Sequence, residues 1–296
     1  MPIRLWWHRL SALNVNVQQE FQIKMSTDTQ RSIIVTGAAR GIGRAMAEAL
    51  LEDGHKVTIL DMNQEVLAQC RAEIGNNTSV RWVHGSITSE ADCERAVAEA
   101  LEAFGQLHGL VNNAGIGVGS LRPDAEVNHP SIEELTPEIW QHFFDVNVLG
   151  AIRMIRASIG HLKAAGWGRI INNTTSYLTH HRVQPYGGVK AALESASAVW
   201  AKELEGTGVS VNVLIPGGPT DTPFVNDIGI PRDKMLRPEV MAAPVRWLMS
   251  GDADGVTGRR FSAGHWDTGL APAAAAASSV RPIAWPELTG DVIWAK

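Results

Sequence analysis

The sequence predicts an α/β fold, a single doubly wound parallel sheet with helices on both faces. Two observations predict it. From Ser32 onward, apolar β-rich segments alternate with helical segments, and the apolar segments are nearly uninterrupted, as in strands that are buried on both faces. Right-handed crossovers then wind such a sheet in both directions. Because these sheets bind ligands beyond the carboxyl ends of their strands, we expect the functional residues there.

The predicted elements follow one another in strand–helix order. The predicted strands are Ser32–Val35, Lys56–Asp61, Val80–His84, Leu110–Asn112, Arg169–Asn172, Val209–Ile215 and Val256–Ser262. The predicted helices are Gly41–Glu52, Gln64–Ile74, Glu90–Phe104, Pro137–Ala164, Pro185–Glu205 and Met235–Met249. The polar stretch Gly117–Ser131 breaks this rhythm at the strand ends, so we expect it on the rim of a substrate pocket.

Composition and charge exclude several classes of function. The chain has 296 residues, 45% of them hydrophobic, and a formal net charge of −5, with no basic stripe of the kind that nucleic-acid binding requires. No apolar run reaches the length of a membrane span. The two cysteines, Cys70 and Cys93, lack the spacing of a metal site, which favours small thiols in a reducing, cytoplasmic compartment.

The chain divides into three predicted parts. Residues 1–24 are expected to be a flexible N-terminal extension, with translation from Met25 as the alternative. Residues 25–270 form the predicted α/β domain. Residues 271–296 form a C-terminal tail extension, first alanine-rich and then aromatic, which we expect to cover the site of a neighbouring subunit.

A glycine-rich turn follows the first predicted strand. Gly37, Gly41 and Gly43 lie between that strand and the helix that begins at once. Glycines let the backbone approach a pyrophosphate closely, and the helix N-terminus presents free N–H groups to the anion. Glycines alone would fit an ordinary turn. Since strand, turn and helix occur in the required order, the sequence favours nucleotide binding.

Two residues bear on the choice of nucleotide. Asp61 ends the second predicted strand, 24 residues after Gly37, where a carboxylate accepts hydrogen bonds from a ribose and repels a 2′-phosphate. Its alternative role is to cap the following helix. Arg40 favours NADP, because its guanidinium can pair with that phosphate. We expect NAD, with NADP as the alternative.

Tyr186 and Lys190 lie one helical turn apart at the start of a predicted helix. A free phenol has a pKa of about 10 and is a poor base at neutral pH. An ammonium about 4 Å away, at an effective dielectric of about 20, would supply about 4 kcal/mol, or about three pKa units. The pair is therefore a candidate acid/base catalyst.

Five motifs together resemble the classical short-chain dehydrogenase/reductase family over residues 31–268. They are Thr36-Gly37-Ala38-Ala39-Arg40-Gly41-Ile42-Gly43, Asn112-Asn113-Ala114-Gly115, Asn147, Tyr186 with Lys190, and Pro216-Gly217. The resemblance implies a Rossmann-type sheet, a nicotinamide cofactor and hydride transfer to or from an alcohol or ketone carbon. It also implies a homotetramer or dimer.

The resemblance also implies catalytic roles. Tyr186 would be the general acid/base, Lys190 would lower its pKa and hold the nicotinamide ribose, and Asn147 would anchor a proton-relaying water. A hydroxyl should hold the substrate oxygen. Thr175 is the first choice, although it precedes Tyr186 by 11 residues where the family has 13, and Ser176 is the alternative.

The implied cofactor contacts are spread over the strand ends. They are Gly37, Arg40, Gly41, Ile42, Gly43, Asp61, Ser86, Ile87, Asn113, Ala114, Gly115, Tyr186, Lys190, Pro216, Gly217, Thr220 and Thr222. At two positions the chain departs from the family, which usually has aspartate where Ser86 and Ala263 stand. We expect Ser86 to hydrogen-bond the adenine in its place. The threonine that grips the nicotinamide amide is either Thr220 or Thr222.

The sequence leaves other functions open. No metal is expected, since the adjacent residues His180 and His181 lack ligand spacing and are better explained as pocket lining or exposed side chains. An NADPH-dependent 3-oxoacyl reductase is the main alternative. A dinucleotide-binding scaffold or sensor is the non-enzymatic alternative. A methyltransferase is disfavoured, because its reaction gives Tyr186 and Lys190 no role.

Overall fold

The computed structural model describes residues 30–225 and 228–285, and the predicted extension 1–24 lies outside them. Within the described ranges, eight strands form one sheet in the order β3-β2-β1-β4-β5-β6-β7-β8. Strands β1 to β7 are parallel, and β8 runs antiparallel to β7. The strands are β1 Ser32–Thr36, β2 Lys56–Asp61, β3 Val80–His84, β4 Gly109–Asn112, β5 Gly168–Asn173, β6 Val209–Ile215, β7 Arg259–Ser262 and β8 Val280–Pro282.

Helices connect the parallel strands. They are α1 Gly41–Glu52, α2 Gln64–Ile74, α3 Glu90–Phe104, α4 Pro137–Phe144, α5 Gly150–Ala164, α6 Tyr177–Arg182, α7 Tyr186–Glu203, α8 Ala242–Leu248 and α9 Pro272–Ser279. Short 3₁₀ turns occupy Val118–Ser120, Arg232–Lys234, Pro238–Met241, Gly251–Ala253 and Ala263–His265. Local capping explains three of the helix starts: the side chains of Asn63, Ser89 and Thr136 accept hydrogen bonds from backbone N–H groups in the first turns of α2, α3 and α4.

The core lies on both faces of the sheet. Alternate residues of β1 point to opposite faces, so Ile33 packs with Met46 and Leu50 of α1, whereas Ile34 packs with Leu110 and the α3 side. All five of these side chains are completely buried. Burial of each contributes about 1.5 to 3 kcal/mol to the stability of the fold. The strand order reverses between β1 and β4, which opens a crevice at their carboxyl ends.

Two predicted boundaries were wrong for backbone reasons. The predicted helix Met235–Met249 becomes a 3₁₀ turn followed by α8, because Pro238 cannot continue a helix from the residues before it. The last predicted strand starts at Arg259 instead of Val256, since Gly258 has φ +64°, a left-handed conformation that a strand does not contain.

Three further differences concern the region near the site. The predicted helix Pro137–Ala164 is interrupted by a π-helical segment, Asp145–Leu149. Helix α6 lies in a stretch predicted as loop. Within the predicted tail, α9 begins with Pro272 at its first position, and β8 joins the sheet beside β7. The described part of the tail therefore packs on its own chain.

Candidate active site

The glycine turn between β1 and α1 is shaped for a close-lying anion. Gly37 has φ +61°, and a Cβ there would lie 2.9 Å from the Cα atom of Ala114. A Cβ on Gly43 would lie 2.3 Å from the carbonyl oxygen of Gly37. Helix α1 has no side-chain cap and no acidic residue in its first turn. Its N–H groups and positive dipole end thus remain available to a pyrophosphate, so the turn fits a dinucleotide.

Asn113 and Thr36 tie this turn to the end of β4. The side-chain amide of Asn113 donates to the carbonyl oxygens of Thr36 and Gly37, at 3.0 and 3.1 Å. In return, the Thr36 hydroxyl accepts from the backbone N–H groups of Asn113 and Ala114, both at 3.0 Å. The predicted cofactor residue Asn113 therefore also fixes the shape of the turn.

Asp61 is held beside the same turn. Its carboxylate accepts hydrogen bonds from the backbone N–H groups of Ala39 at 3.1 Å and Asn63 at 3.0 Å, and the residue is 9% exposed. Asn63, not Asp61, caps α2, so the capping alternative for Asp61 was wrong. Arg40 is exposed at the rim of the turn. The glycine turn thus has a fixed carboxylate beside it and an exposed guanidinium at its rim.

Ser86 and Ile87 follow the end of β3. The Ser86 hydroxyl lies 2.8 Å from the Thr88 hydroxyl, and the Ser86 backbone N–H donates to Asp92 at 3.0 Å. That hydrogen bond and the one from Arg95 lower the pKa of Asp92. Ile87 is buried, and a Cβ on Gly150 would lie 2.5 Å from it. Ser86 is therefore part of a tightly bonded local turn.

The segment after β6 approaches the glycine turn from the other side. A Cβ on Gly41 would lie 3.3 Å from the methyl group of Thr222. The backbone N–H of Gly264 donates to the carbonyl oxygen of Pro216 at 2.8 Å, which fixes the start of the segment. Thr220 and Thr222 are both buried, and their hydroxyls donate to nearby carbonyl oxygens at 3.1 and 3.4 Å.

Asn147 lies in the π-helical segment that interrupts the predicted helix Pro137–Ala164. The contacts of its side chain explain this irregularity. Its amide donates to the carbonyl oxygens of Ile116 at 3.2 Å and Phe143 at 3.0 Å, and its oxygen accepts from the N–H of Ile116 at 3.2 Å. A Cβ on Gly115 would lie 2.6 Å from that oxygen. The wider π turn carries the Asn147 side chain to the end of β4, and Gly115 leaves room for it.

Tyr186, Lys190 and Thr175 meet at the end of β5. Tyr186 is the first residue of α7, and the Thr175 hydroxyl lies close enough to its phenol to lower the pKa of the phenol. The Lys190 ammonium donates to the carbonyl oxygen of Asn173 at 2.9 Å and lies 5.8 Å from the centre of the Tyr186 ring. It also lies 3.5 Å from the position that a Cβ on Gly115 would occupy. The structure thus brings all four predicted catalytic residues to one edge of the sheet.

Burial controls the protonation of this pair. It raises the pKa of Tyr186, the negative charge of Glu126 adds to the rise, and the Thr175 hydrogen bond opposes it. This direction is opposite to the lowered phenol pKa that the sequence led us to expect. Burial also shifts the pKa of Lys190, which it lowers to about 8. Two buried groups without a compensating charge both favour their neutral forms.

The three hydroxyls after β5 have different partners. The Thr175 hydroxyl faces the Tyr186 phenol and lowers its pKa, whereas the Thr174 hydroxyl donates to the carboxylate of Glu194 at 3.0 Å. Ser176 caps α6, since its hydroxyl accepts from the N–H of Thr179 at 3.1 Å. Of the two candidates for holding the substrate oxygen, Thr175 therefore faces the phenol, whereas Ser176 caps α6.

Several residues near the site were given no individual role by the sequence analysis, although Phe224–Leu236 was expected to line the substrate pocket. Phe224 packs against Tyr186 with ring centres 5.8 Å apart, and Arg260 and Glu194 form a buried ion pair behind Thr175. The signal for Arg260 was a pair of adjacent arginines, Arg259 and Arg260, within a predicted strand. Glu126, in the predicted substrate rim, had no signal beyond its place in that stretch.

His180 packs between aromatic rings. Its ring centre lies 5.7 Å from that of Tyr177 and 5.6 Å from that of Trp285, and burial lowers its pKa to about 4. His181 is exposed. In the described ranges, no group of three or more histidine, cysteine, aspartate or glutamate side chains is arranged to hold a metal ion. Nor does any helix there have the length and apolarity to cross a bilayer.

Comparison with known proteins identifies a single family. A sequence model of the short chain dehydrogenase family matches residues 31–232. Among curated relatives, fluoren-9-ol dehydrogenase of Terrabacter sp. (strain DBF63) is 30% identical over 259 residues, covering 80% of this chain and 71% of the relative. A 3-alpha-(or 20-beta)-hydroxysteroid dehydrogenase of Mycobacterium tuberculosis (strain ATCC 25618 / H37Rv) is 32% identical over 237 residues, covering 77% of this chain and 85% of the relative.

A solved structure is also similar. The 3-ketoacyl-(acyl-carrier-protein) reductase of Brucella melitensis, determined in complex with NADH, superposes with a TM-score of 0.66 and is 29% identical. The match covers 78% of this chain and 94% of that one.

Proposed function

The chain belongs to the short-chain dehydrogenase/reductase family, and from this premise we propose that it oxidises a secondary alcohol, or reduces the ketone, with NAD as its cofactor. Its family makes it an NAD(P)-dependent oxidoreductase that acts on alcohols or ketones. The observation that carries the proposal is the interaction of the Thr175 hydroxyl with the Tyr186 phenol, with Lys190 one turn further along the same helix. The glycine turn lies at the end of β1, across the crevice.

The proposed roles follow from this geometry. Thr175 and Tyr186 together hold the substrate oxygen, and Tyr186 accepts the hydroxyl proton during oxidation and returns it during reduction. Lys190 fixes the nicotinamide ribose, and Asn147 holds the water that relays protons towards Lys190. When bound, the cofactor accepts or donates the hydride and, in its oxidised form, brings a positive charge near the phenol. That charge would oppose the effect of burial on the pKa of Tyr186.

The dinucleotide would lie along the carboxyl ends of the strands. Its pyrophosphate would bind Gly41, Ile42 and Gly43 at the start of α1. The adenosine half would contact Asp61, Ser86 and Ile87. The other half would contact Asn113, Ala114, Gly115, Pro216, Gly217 and one of the two threonines, Thr220 or Thr222.

The preference for NAD rests on Asp61. Its carboxylate is held by two backbone N–H groups, so it cannot turn away from an approaching 2′-phosphate. Arg40 is exposed and its guanidinium is screened by solvent, which weakens its attraction for that phosphate. We therefore place NAD ahead of NADP.

A hydrophobic substrate suits the site. Phe224 packs against the Tyr186 ring and lies beside Gly117 at the predicted rim, giving the reacting oxygen an apolar wall. The fluorenol and hydroxysteroid dehydrogenases act, by their names, on secondary alcohols of fused-ring compounds. We propose the same class here, a ring-bearing secondary alcohol or its ketone.

Two observations favour the 3-oxoacyl reductase alternative. A solved 3-ketoacyl-(acyl-carrier-protein) reductase shares the fold. The exposed guanidinium of Arg40 would attract the 2′-phosphate of NADP. The sensor alternative has less support, because Asn147, Thr175, Tyr186 and Lys190 are brought together.

We also propose a homo-oligomer, a dimer or tetramer, in the cytoplasm. Large apolar side chains are exposed on the helical segments Pro137–Ala164 and Pro185–Glu205: Trp140, Phe144, Leu149 and Val199. Such side chains on neighbouring helices are typical of an interface between subunits.

One experiment tests the reaction, the substrate class and the cofactor together. Cyclohexanol, 1-phenylethanol, fluorenol and isopropanol are assayed with NAD or NADP by cofactor absorbance. Their ketones are assayed with NADH or NADPH, with acetoacetyl thioester as the competing substrate. We expect turnover of the ring alcohols with a higher kcat/KM for NAD. Faster reduction of the thioester with NADPH would establish the 3-oxoacyl reductase instead, and dinucleotide binding with no turnover would support a sensor.

A further inference from the structure

A buried ion pair lies directly behind the proposed catalytic hydroxyl. Arg260 of β7 is 4% exposed, Glu194 of α7 is fully buried, and the guanidinium contacts the carboxylate. A buried pair of this kind rarely adds net stability, because both charges lose their hydration. We therefore expect the Arg260–Glu194 pair to have a role other than stabilising the fold.

The two branches of the Arg260 guanidinium have different partners. One nitrogen donates to Glu194 and lies 3.4 Å from the Thr174 hydroxyl. The other donates to the backbone carbonyl oxygen of Thr175. Because the fork is planar and rigid, fixing one branch on Glu194 also fixes the direction of the other. Arg260 thus connects α7 with the backbone of the residue that bears the hydroxyl.

The backbone at Thr175 lies outside the regular ladder. The last paired residue of β5 is Asn173, opposite Leu214 of β6, and α6 does not begin until Tyr177. Thr175 therefore lies between the last strand pairing and the first helical turn. Here the segment is two residues shorter than the family pattern, and Arg260 reaches it across β6 from β7.

Tyr177 completes this arrangement. Its phenol lies 3.2 Å from Glu194 and 3.3 Å from the carbonyl oxygen of Pro282 in β8, and its ring centre lies 4.1 Å from the guanidinium carbon of Arg260. Trp285 packs against the same ring, with centres 5.3 Å apart. Residues 282–285 thus pack over Tyr177 beside the ion pair, which is buried from solvent.

We propose that Arg260, held by Glu194, is a positioning residue that fixes the Thr175 backbone so that its hydroxyl meets the substrate oxygen beside Tyr186. The proposal rests on the function proposed above, since it requires Thr175 to contact the substrate. Arg260 itself touches neither the reacting atoms nor the cofactor.

Two matched changes separate positioning from folding. Arg260→Lys keeps a positive charge beside Glu194 but lacks the second branch of the fork. The double variant Arg260→Met with Glu194→Gln removes both charges together, so neither is left buried and unpaired. Arg259→Lys, at the exposed neighbouring position of β7, is the control and should leave kcat unchanged. Thermal unfolding of every variant reports on the fold.

The decisive measurement is a double-mutant cycle with Thr175→Val, using NAD and the fastest alcohol of the panel. We expect Arg260→Lys and the double variant each to lower kcat about tenfold, with KM and the Kd of NAD changed less than about twofold. In the Thr175→Val background, the same changes should lower kcat less than about twofold, because the hydroxyl that they position is already gone.

Three results would overturn the proposal. Equal factors in both backgrounds would mean that Arg260 does not act through Thr175, and the proposed function would stand. Unchanged kcat in Arg260→Lys would likewise show that Arg260 does not position Thr175, even if the double variant failed to fold. Wild-type kcat in Thr175→Val alone would remove the role of Thr175 and would overturn this part of the proposed function as well.

Discussion

The hydroxyl of Thr175 interacts with the phenol of Tyr186 and lowers its pKa, although the phenol lies at the start of a helix 11 residues further along the chain. The hydroxyls on either side, those of Thr174 and Ser176, have other partners. This difference between adjacent residues supports the proposal that Thr175 is the hydroxyl that shares a substrate oxygen with the phenol.

Replacing these hydroxyls one at a time should separate catalysis from stability. Thr175→Val should lower kcat by about ten- to a hundredfold, since it removes a hydrogen bond to the substrate oxygen that strengthens in the transition state. Thr175→Ser keeps a hydroxyl and should retain much of the wild-type kcat. Ser176→Ala should leave kcat within about twofold and lower the free energy of unfolding by about 1 kcal/mol, because it removes a helix cap. Steady-state kinetics and urea unfolding measure both effects. The reverse pattern would assign the catalytic role to Ser176.

Asp61 should control the choice of cofactor. Asp61→Asn keeps the size of the side chain and its acceptor oxygen but removes the charge that repels a 2′-phosphate, so kcat/KM for NADP should rise relative to NAD by about tenfold or more. Arg40→Ala should lower kcat/KM for NADP more than for NAD. Both cofactors are compared at one ionic strength, since the exposed arginine is screened by salt. An unchanged ratio in Asp61→Asn would remove the basis of the NAD preference.

The glycine turn should tolerate no side chain. Gly43→Ala would place a methyl group 2.3 Å from a carbonyl oxygen, so the turn must deform and the Kd for NAD should rise by about a hundredfold or more. Gly160→Ala is the matched control, because it lies within α5 with no atom within 4 Å of the added Cβ. It should leave the Kd unchanged and raise stability by about 0.5 to 1 kcal/mol. Equal Kd values for the two variants would argue against binding at this turn.

Much of the fold could be predicted because its signals are local. Apolar runs and helical periodicity predicted β2, β3, α1, α2, α3 and β6 with their observed bounds, and the glycine turn and the Tyr186–Lys190 spacing indicated both halves of the site. These features depend on residues within about one or two turns of one another.

What could not be predicted depends on contacts that are distant in sequence. The π turn at Asn147 is held by the backbone of Ile116, 31 residues earlier, and Arg260 meets Glu194 across 66 residues. Strand β8 has only three residues and needs the edge of β7 to form. The raised pKa of Tyr186 follows from burial, which no local spacing reveals.

The pKa of Lys190 makes a prediction for stability against pH. Burial lowers this pKa from 10.5 to about 8, so between these values the unfolded chain binds a proton that the folded chain does not. The free energy of unfolding of the wild type should therefore rise with pH across this range relative to Lys190→Met, by about 3 kcal/mol in total. Urea unfolding of both proteins at several pH values measures the difference. A difference that is constant with pH would show that Lys190 keeps its proton when buried.

The central claim is that the Tyr186 phenol exchanges the proton with the substrate. It is tested most directly by the kcat of Tyr186→Phe on the fastest alcohol of the panel, with the Kd of NAD measured by quenching of tryptophan fluorescence. The phenyl ring keeps its packing against Phe224, so the variant should fold and bind NAD within about twofold of the wild type, while kcat falls by about a thousandfold or more. A variant that binds NAD and retains wild-type turnover would contradict the account.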